Sequence, residues 1–521
     1  MQERYTRFKK ILRIVWKSLA WIVLSVFLLL LLVMLIIRIP AVQQRLVSEV
    51  TSFVSGKTKT RVVIGSIYFN IPKTLDISGF YVEDLHHDTL AYIGNLQVNV
   101  ALLPLLSKEI KVNRFTLEDV RARVYNTQAD SVFNYQFIIN AFASDTVAEK
   151  KPDAERGADS SSSWNFNVGT VALKRIDVAY LDSFSGNLAT IQLGELEIDM
   201  DRLDLRKKKI LVSSIGLHDT RASYIQTRKS SKVDTTASAP FDYEIQLDRL
   251  LLENVNLRYA SDVLKNEGHA NIGKLELRPE KLDVAANTYW VRTFLLHSSE
   301  LAYHQYKGAA SVSPRDTLEA AADSVTALPF HIRLRNLDLK DNTLAYDNDL
   351  VPAQRDRFDA NHLRLEEVLV NIRNIEYVNE EVKAMIRNVS FKEQCGFELQ
   401  KLKGNVFYGA KESYVENLEL QTPYNRLNAD LKLGYPSIAS LSDSLARLRA
   451  DLRISDTKLN VRDVLFFAPE LRKNDMVASN LATVADIQLV VKGMLSDLEI
   501  RRCQVSLLDA TLLRMQGHIN G

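Results

Sequence analysis

The chain has 521 residues, 25% of them charged, with a formal net charge of +2. So even a balance gives no reason to expect nucleic acid or a strongly anionic surface as partner. Glycine (19) and proline (12) are scarce for the length, unlike a turn-rich compact enzyme, and two cysteines, Cys395 and Cys503, are too few for a disulfide framework.

Residues 1–18 carry Arg4, Arg7, Lys9, Lys10, Arg13 and Lys17 against the single acid Glu3. Residues 19–37, LAWIVLSVFLLLLLVMLII, follow without a charge. At about 1.5 Å rise per residue this run makes a helix of roughly 28 Å, about the hydrocarbon thickness of a bilayer. Basic flanks stay on the cytoplasmic side, which predicts a single-pass signal anchor with residues 38–521 outside. A secretory signal peptide has a shorter apolar core and a small-x-small cleavage site. Here Arg38-Ile39-Pro40 follows, which favours an uncleaved anchor.

Residues 41–55 predict one amphipathic helix, with Val42, Leu46 and Val50 at helical spacing and Gly56 at the C-terminal cap. From Thr60 onward the period becomes two. RVVIGSIYF at 61–69, LQVNVALL at 96–103, LEIDM at 196–200, EIQLDRLLL at 244–252 and HIRLRNLDL at 331–339 are examples. In LEIDM, Leu196, Ile198 and Met200 share one face while Glu197 and Asp199 share the other. Such strands, apolar on one side and polar on the other, are those of antiparallel sheets. The body is predicted to be mainly β, with no second long helix.

The strands repeat. GTVALKRIDVAY ending at Tyr180, DRLLLENVNLRY ending at Tyr259 and RNLDLKDNTLAY ending at Tyr346 align without gaps. Matched apolar positions are Leu173, Leu252 and Leu339, and likewise Val178, Leu257 and Leu344. A second element recurs as IGNLQV at 93–98, LGELEI at 193–198 and IGKLEL at 272–277. A third follows as VNRFTLEDVRA at 112–122, VSSIGLHDTRA at 212–222 and VRTFLLHSSEL at 291–301. The period of about 80 residues marks a repeat architecture that grows along one axis, an elongated, repetitive antiparallel β-structure. It divides the chain into a module at 41–142, repeats at 164–227, 241–307 and 330–409, and further strands at 410–521. The polar stretches 143–163, 228–240 and 308–328 read as surface loops inserted at equivalent places.

Chemical motifs are few. Ser55-Gly56-Lys57-Thr58 contains a GKT, but Thr51 stands where a phosphate loop needs its first glycine and the segment follows a helix. His86-His87-Asp88 lacks a further ligand at metal spacing and reads as a solvated loop. The acids Glu195, Glu197, Asp199 and Asp201 read as the solvent side of a strand. No catalytic, cofactor or metal motif emerges, and the chain is expected not to be an enzyme. The apolar face must either be covered by a second layer or line a groove that could hold acyl chains. Alternation alone weighs these two equally. Leu173, Val178, Leu252, Leu257, Leu339 and Leu344 are the candidate lining.

The basic N-terminus, the apolar run, Pro40 and VVIGSIYFNIPKTLDISGFYVED at 62–84 resemble the start of AsmA-like proteins. RFTLEDVRARVYNT at 114–127 and GFELQKL…VENLELQTPYNRLNADLKL at 396–433 resemble the TamB branch. The likeness is specific at the N-terminal start and shared only as patterning in the repeats. It implies a β-taco, a partly open β-structure with a hydrophobic groove, anchored in the inner membrane and extending into the periplasm. It further implies a role in assembly and secretion of outer-membrane proteins, or in phospholipid movement between the membranes, with an outer-membrane partner of the Omp85 type. Members of that branch are usually longer and end in a characteristic domain. The closing LLRMQGHING lacks it, so the chain is expected to be an N-terminal part or a shortened member. The competing expectation is a membrane-anchored structural or adhesive β-protein with closed cores that binds proteins through its loops.

Overall fold

The computed structural model describes residues 39–70, 74–127, 132–143, 165–204, 209–229, 244–283, 286–308, 330–443, 445–507 and 511–520, with single positions between Lys17 and Ile36. Most of the expected cytoplasmic segment, of the anchor and of the three polar stretches lies outside the described residues. Among the described residues no helix is long and apolar enough to cross a membrane. Within the apolar run, Trp21, Leu24, Leu28, Leu29, Leu32, Leu35 and Ile36 are helical and exposed. The described chain is mainly β, in largely antiparallel mixed sheet. It divides into two compact units, Met1–Ala179 and Tyr180–Gly521, each taken by itself.

The first unit opens with helix α1 (Pro40–Thr58). Pro40 suits the first helical turn, where its missing N–H costs nothing. The helix passes the predicted end: Lys59, not Gly56, caps it in the left-handed region at φ 57°, donating to Ser55 O at 2.8 Å. The Thr58 hydroxyl donates to Val54 O and the Ser55 hydroxyl accepts from Val62 N, so side chains hold the last turn and no glycine is needed. The Lys57-Thr58 pair thus closes a helix.

Then come β1 (Val62–Val63), β2 (Ser66–Asn70), β3 (Thr74–Glu83), β4 (Thr89–Ala101), β5 (Glu109–Asn126), helix α2 (Gln136–Ala143) and β6 (Asn165–Asp182). The run predicted as one strand at 61–69 is two, interrupted where Gly65 N donates to Ser78 O and Gly79 O. Strands β1 and β2 pair antiparallel with β3, which pairs with β4, and β4 with β5. Val62, Val82 and Leu90 form the core, closed by Val54 of α1 and by Phe137 and Ile138 of α2.

The second unit holds β7 (Asn187–Asp204), β8 (Lys209–Gln226), β9 (Glu244–Leu247), β10 (Leu250–Ser261), β11 (Asn266–Asp283), β12 (Thr288–His297), β13 (Glu300–Gln305) and β14 (His331–Asn348). It continues through β15 (His362–Val378), β16 (Glu381–Glu393), β17 (Glu398–Tyr408), β18 (Glu412–Gln421), β19 (Arg426–Gly434), β20 (Arg449–Asn460), β21 (Val484–Met494), β22 (Asp497–Leu507) and β23 (Thr511–Asn520). From β14 to β23 each strand pairs antiparallel with the next.

The pairing is largely antiparallel, as expected, with parallel joints between repeats. Strand β8 runs parallel to β9 and β10, and β12 and β13 run parallel to β14. The last strand of one repeat therefore lies beside the first strand of the next, pointing the same way. Parallel neighbours need a crossover of a dozen or more residues, and the sequence between Gln226 and Glu244 and between Gln305 and His331 is long enough for one. On the described side of each gap, Glu244 opens β9 beside Lys209 at the start of β8, and His331 opens β14 beside Thr288 at the start of β12. The region 410–521 also departs from continuous strand. Asn460 caps helix α3 (Val461–Phe467), and Phe466 and Phe467 pack on Phe397 with ring centroids 6.0 and 5.2 Å away.

A line of left-handed residues interrupts the ladders across the repeats, with shifts of register where it crosses β14 and β15. Asp219, Asn254, Ser298 and Asp341 take positive φ at matching places on β8, β10, the β12–β13 junction and β14, and Glu367 follows on β15. The next residue is buried each time: Thr220, Val255, Ser299, Asn342 and Val368 are 1–4% exposed. The shifted positions on β14 and β15 are bulges, which bend a strand locally. Gly194 and Gly273 face this line because nothing larger fits. A Cβ on Gly273 would meet Ser298 O at 2.4 Å, and one on Gly194 would meet Asp219 Cβ at 2.7 Å. In the first unit Gly94 faces Asp119 in the same way, at 2.6 Å.

Candidate functional site

Cross-strand register turns the repeat into a surface. In the second unit Leu196 pairs with Leu217, Leu217 with Leu252, Leu252 with Leu275, Leu275 with Leu296 and Leu296 with Leu339. The row continues through Val370, Val389, Leu402 and Leu420 to Leu427. Eleven successive strands thus place an aliphatic side chain at one level, a run of ~48 Å at about 4.8 Å per strand. A parallel row holds Ile215, Leu250, Leu277, Phe294 and Leu337. Beyond the line of left-handed residues a third row runs Ala222, Leu257, Ala270, Leu301, Leu344 and Leu365.

The rows belong to one face on both sides of this line. Val255, Ile272 and Leu296 are 2%, 6% and 4% exposed, with Leu252 and Leu339 packed on them from one side and Ala270 and Leu301 from the other. Every side chain on this cluster comes from β8 and β10–β14. Away from the line the rows are half-buried, and Leu257 is 39% exposed. The opposite face is charged: Lys274 pairs with Glu253 at 3.1 Å and Arg249 with Glu276 at 3.0 Å. Burial pushes the Glu276 carboxyl up, but hydrogen bonds from Arg278 and Arg249 hold it below the usual range.

Of the predicted lining residues, Leu252 and Leu339 share one row and Leu257 and Leu344 another. Leu173 and Val178 are half-buried on β6 of the first unit. Leu217, Leu275 and Leu296 were not singled out, although the matched second and third repeat elements carry them. The first unit has its own rows, Ile77–Leu96–Leu117 and Leu75–Val98–Phe115.

The polar candidates resolve into structural roles. Asp84, fully buried, accepts from His86 N at 2.8 Å and Asp88 N at 3.0 Å, which folds the His86-His87-Asp88 loop into a turn. Its other oxygen accepts from Tyr125 and Asn134. Burial pushes Asp84 up, yet these bonds hold it below the carboxylate range, while burial and Asp84 push the Tyr125 phenol up to about 12. Tyr125 borders a polar cleft of about 710 Å³ with Tyr81, Tyr92, Arg121 and Arg123. Cys395 and Cys503 are free thiols, and burial with the Glu393 carboxylate pushes Cys395 up to about 11.

No family model, no curated protein and no solved structure matches this chain.

Proposed function

We propose that the chain is a non-enzymatic, inner-membrane-anchored β-groove protein whose body lies in the periplasm and serves cell-envelope biogenesis. Its half-buried aliphatic rows hold phospholipid acyl chains, in transport between the membranes, in support of outer-membrane protein assembly, or in both. An assembly protein of the Omp85 type in the outer membrane is its proposed partner. The carrying observation is the register of the row from Leu196 to Leu427: continuous, aliphatic, and short of core burial at most positions. Its ~48 Å exceeds one leaflet's acyl layer, about half of the ~30 Å hydrocarbon core. The exposed apolar helical positions between Trp21 and Ile36 support the anchor, since water is a poor environment for them. The resemblance to AsmA-like proteins supports the compartment and the cargo class.

The test is extraction of lipid from the full chain purified in mild detergent, with a globular membrane-anchored protein as control. Stoichiometric phospholipid retained through exchange into a second detergent is the expected result. Retention no higher than the control would refute the groove and favour the structural β-protein with closed cores.

A further inference from the structure

We propose that His304, Asp347 and Asp349 form a binding site for a divalent transition-metal ion on the polar side of the second unit. The residues are brought together by register. His304 on β13 pairs in parallel with Asp347 on β14, and Asp349 is held beside them because its N–H donates to Gln305 O at 2.9 Å. His304 Nε2 lies 3.2 Å from Asp349 Oδ2 and 3.8 Å from Asp347 Oδ2, and all three donor atoms fall within 4.8 Å of one another. Zinc bonds of about 2.0–2.1 Å in a tetrahedral site set neighbouring donors about 3.3 Å apart, close to this spacing.

A second observation distinguishes this cluster from an ordinary ion pair. His304 Nε2 is sealed from solvent and has no hydrogen-bond partner, although a carboxylate oxygen is within reach. Ligands that converge on an ion aim at a common point and not at each other. His297 Nε2, 3.5 Å from Asp338, and His331 Nε2 are also buried without a hydrogen bond, but among the described residues neither stands in a group of three metal-ligating side chains. Tyr306 packs against the His304 ring, with centroids 4.2 Å apart, and fixes its plane. The free oxygen of Asp347 accepts from His362 Nδ1, whose Nε2 donates to Val351 O at 2.8 Å. Such outer partners orient a ligating carboxylate. Asp347 and Asp349 remain 51% and 39% exposed, so an ion can enter and water can complete its shell. One imidazole with two carboxylates suits zinc and its first-row neighbours better than magnesium or calcium, which favour all-oxygen shells. A bound ion would pin the segment between β14 and β15 to β13.

The experiment is titration of the full chain with Zn²⁺ by equilibrium dialysis, and with Co²⁺ by visible absorption, with Mg²⁺ as competitor. One equivalent should bind in the presence of excess Mg²⁺. Affinity should fall tenfold or more in His304→Gln and in Asp349→Asn, each shown folded by circular dichroism. Asp349→Asn keeps its shape and backbone bond, so it reads the site even where the histidine variant fails to fold. Binding that survives both substitutions, or no equivalent bound, would overturn the proposal.

Discussion

Placing a charge at Leu252 separates an open face from a closed core. Leu252 is half-buried in its row between Leu217 and Leu275, whereas Val255, three residues on and just past the left-handed Asn254, is 2% exposed. Fully burying a leucine contributes about 1.5–3 kcal/mol, so losing this half-buried one costs about 1 kcal/mol. In Leu252→Arg the long side chain can run along the face and keep its guanidinium in water. In Val255→Arg no such route exists, and an unpaired buried cation costs ~3–5 kcal/mol or prevents folding. Urea unfolding of the full chain, followed by circular dichroism and tryptophan fluorescence, measures the pair. Leu252→Arg is expected to lose about 1 kcal/mol with an unchanged slope, and Val255→Arg at least ~3 kcal/mol. Equal losses would mean that the row is a sealed core, and the reasoning from half-burial would be wrong.

Gly273→Ala should destabilise by ~1–3 kcal/mol, because its Cβ would meet Ser298 O at 2.4 Å, as the same unfolding assay would show. Gly56→Ala, with nothing within 4 Å on helix α1, should instead stabilise by about 0.5–1 kcal/mol. Asp84→Asn removes a carboxylate held by four hydrogen bonds and should cost about 2 kcal/mol at neutral pH. Because the folded carboxyl sits below its unfolded value, its stabilisation is present above the ordinary carboxylate range and is lost as pH falls through the folded value. The deficit of Asp84→Asn, measured as thermal unfolding against pH, should therefore shrink in acid. A deficit constant from pH 7 to strongly acidic conditions would contradict that assignment.

Much of this architecture is legible in the sequence because it repeats. Period-two alternation announces the strands, and matched elements such as LGELEI and IGKLEL already carry Leu196 and Leu275 to one level. The parallel joints between repeats are not legible, since alternation looks the same in either direction. They were signalled only by the length of the polar stretches, which a hairpin does not need. The line of left-handed residues is half visible: Gly94, Gly194 and Gly273 recur in the second element, but their reason is the left-handed residue on the neighbouring strand. Helix α3 is too short for periodicity to reveal, and only Asn460 as its cap hints at it. The His304, Asp347 and Asp349 cluster depends on pairing register between separate strands, which no local pattern records.

The central claim, that the apolar face is an open trough for acyl chains, is tested most directly by photocrosslinking in native membranes. A photoreactive side chain at Leu252 or Leu339 lies on the half-buried row, and one at Glu253 lies on the charged face. The account predicts phospholipid adducts at Leu252 and Leu339 and none at Glu253. Absence of lipid adducts along the row, or equal labelling of both faces, would contradict it.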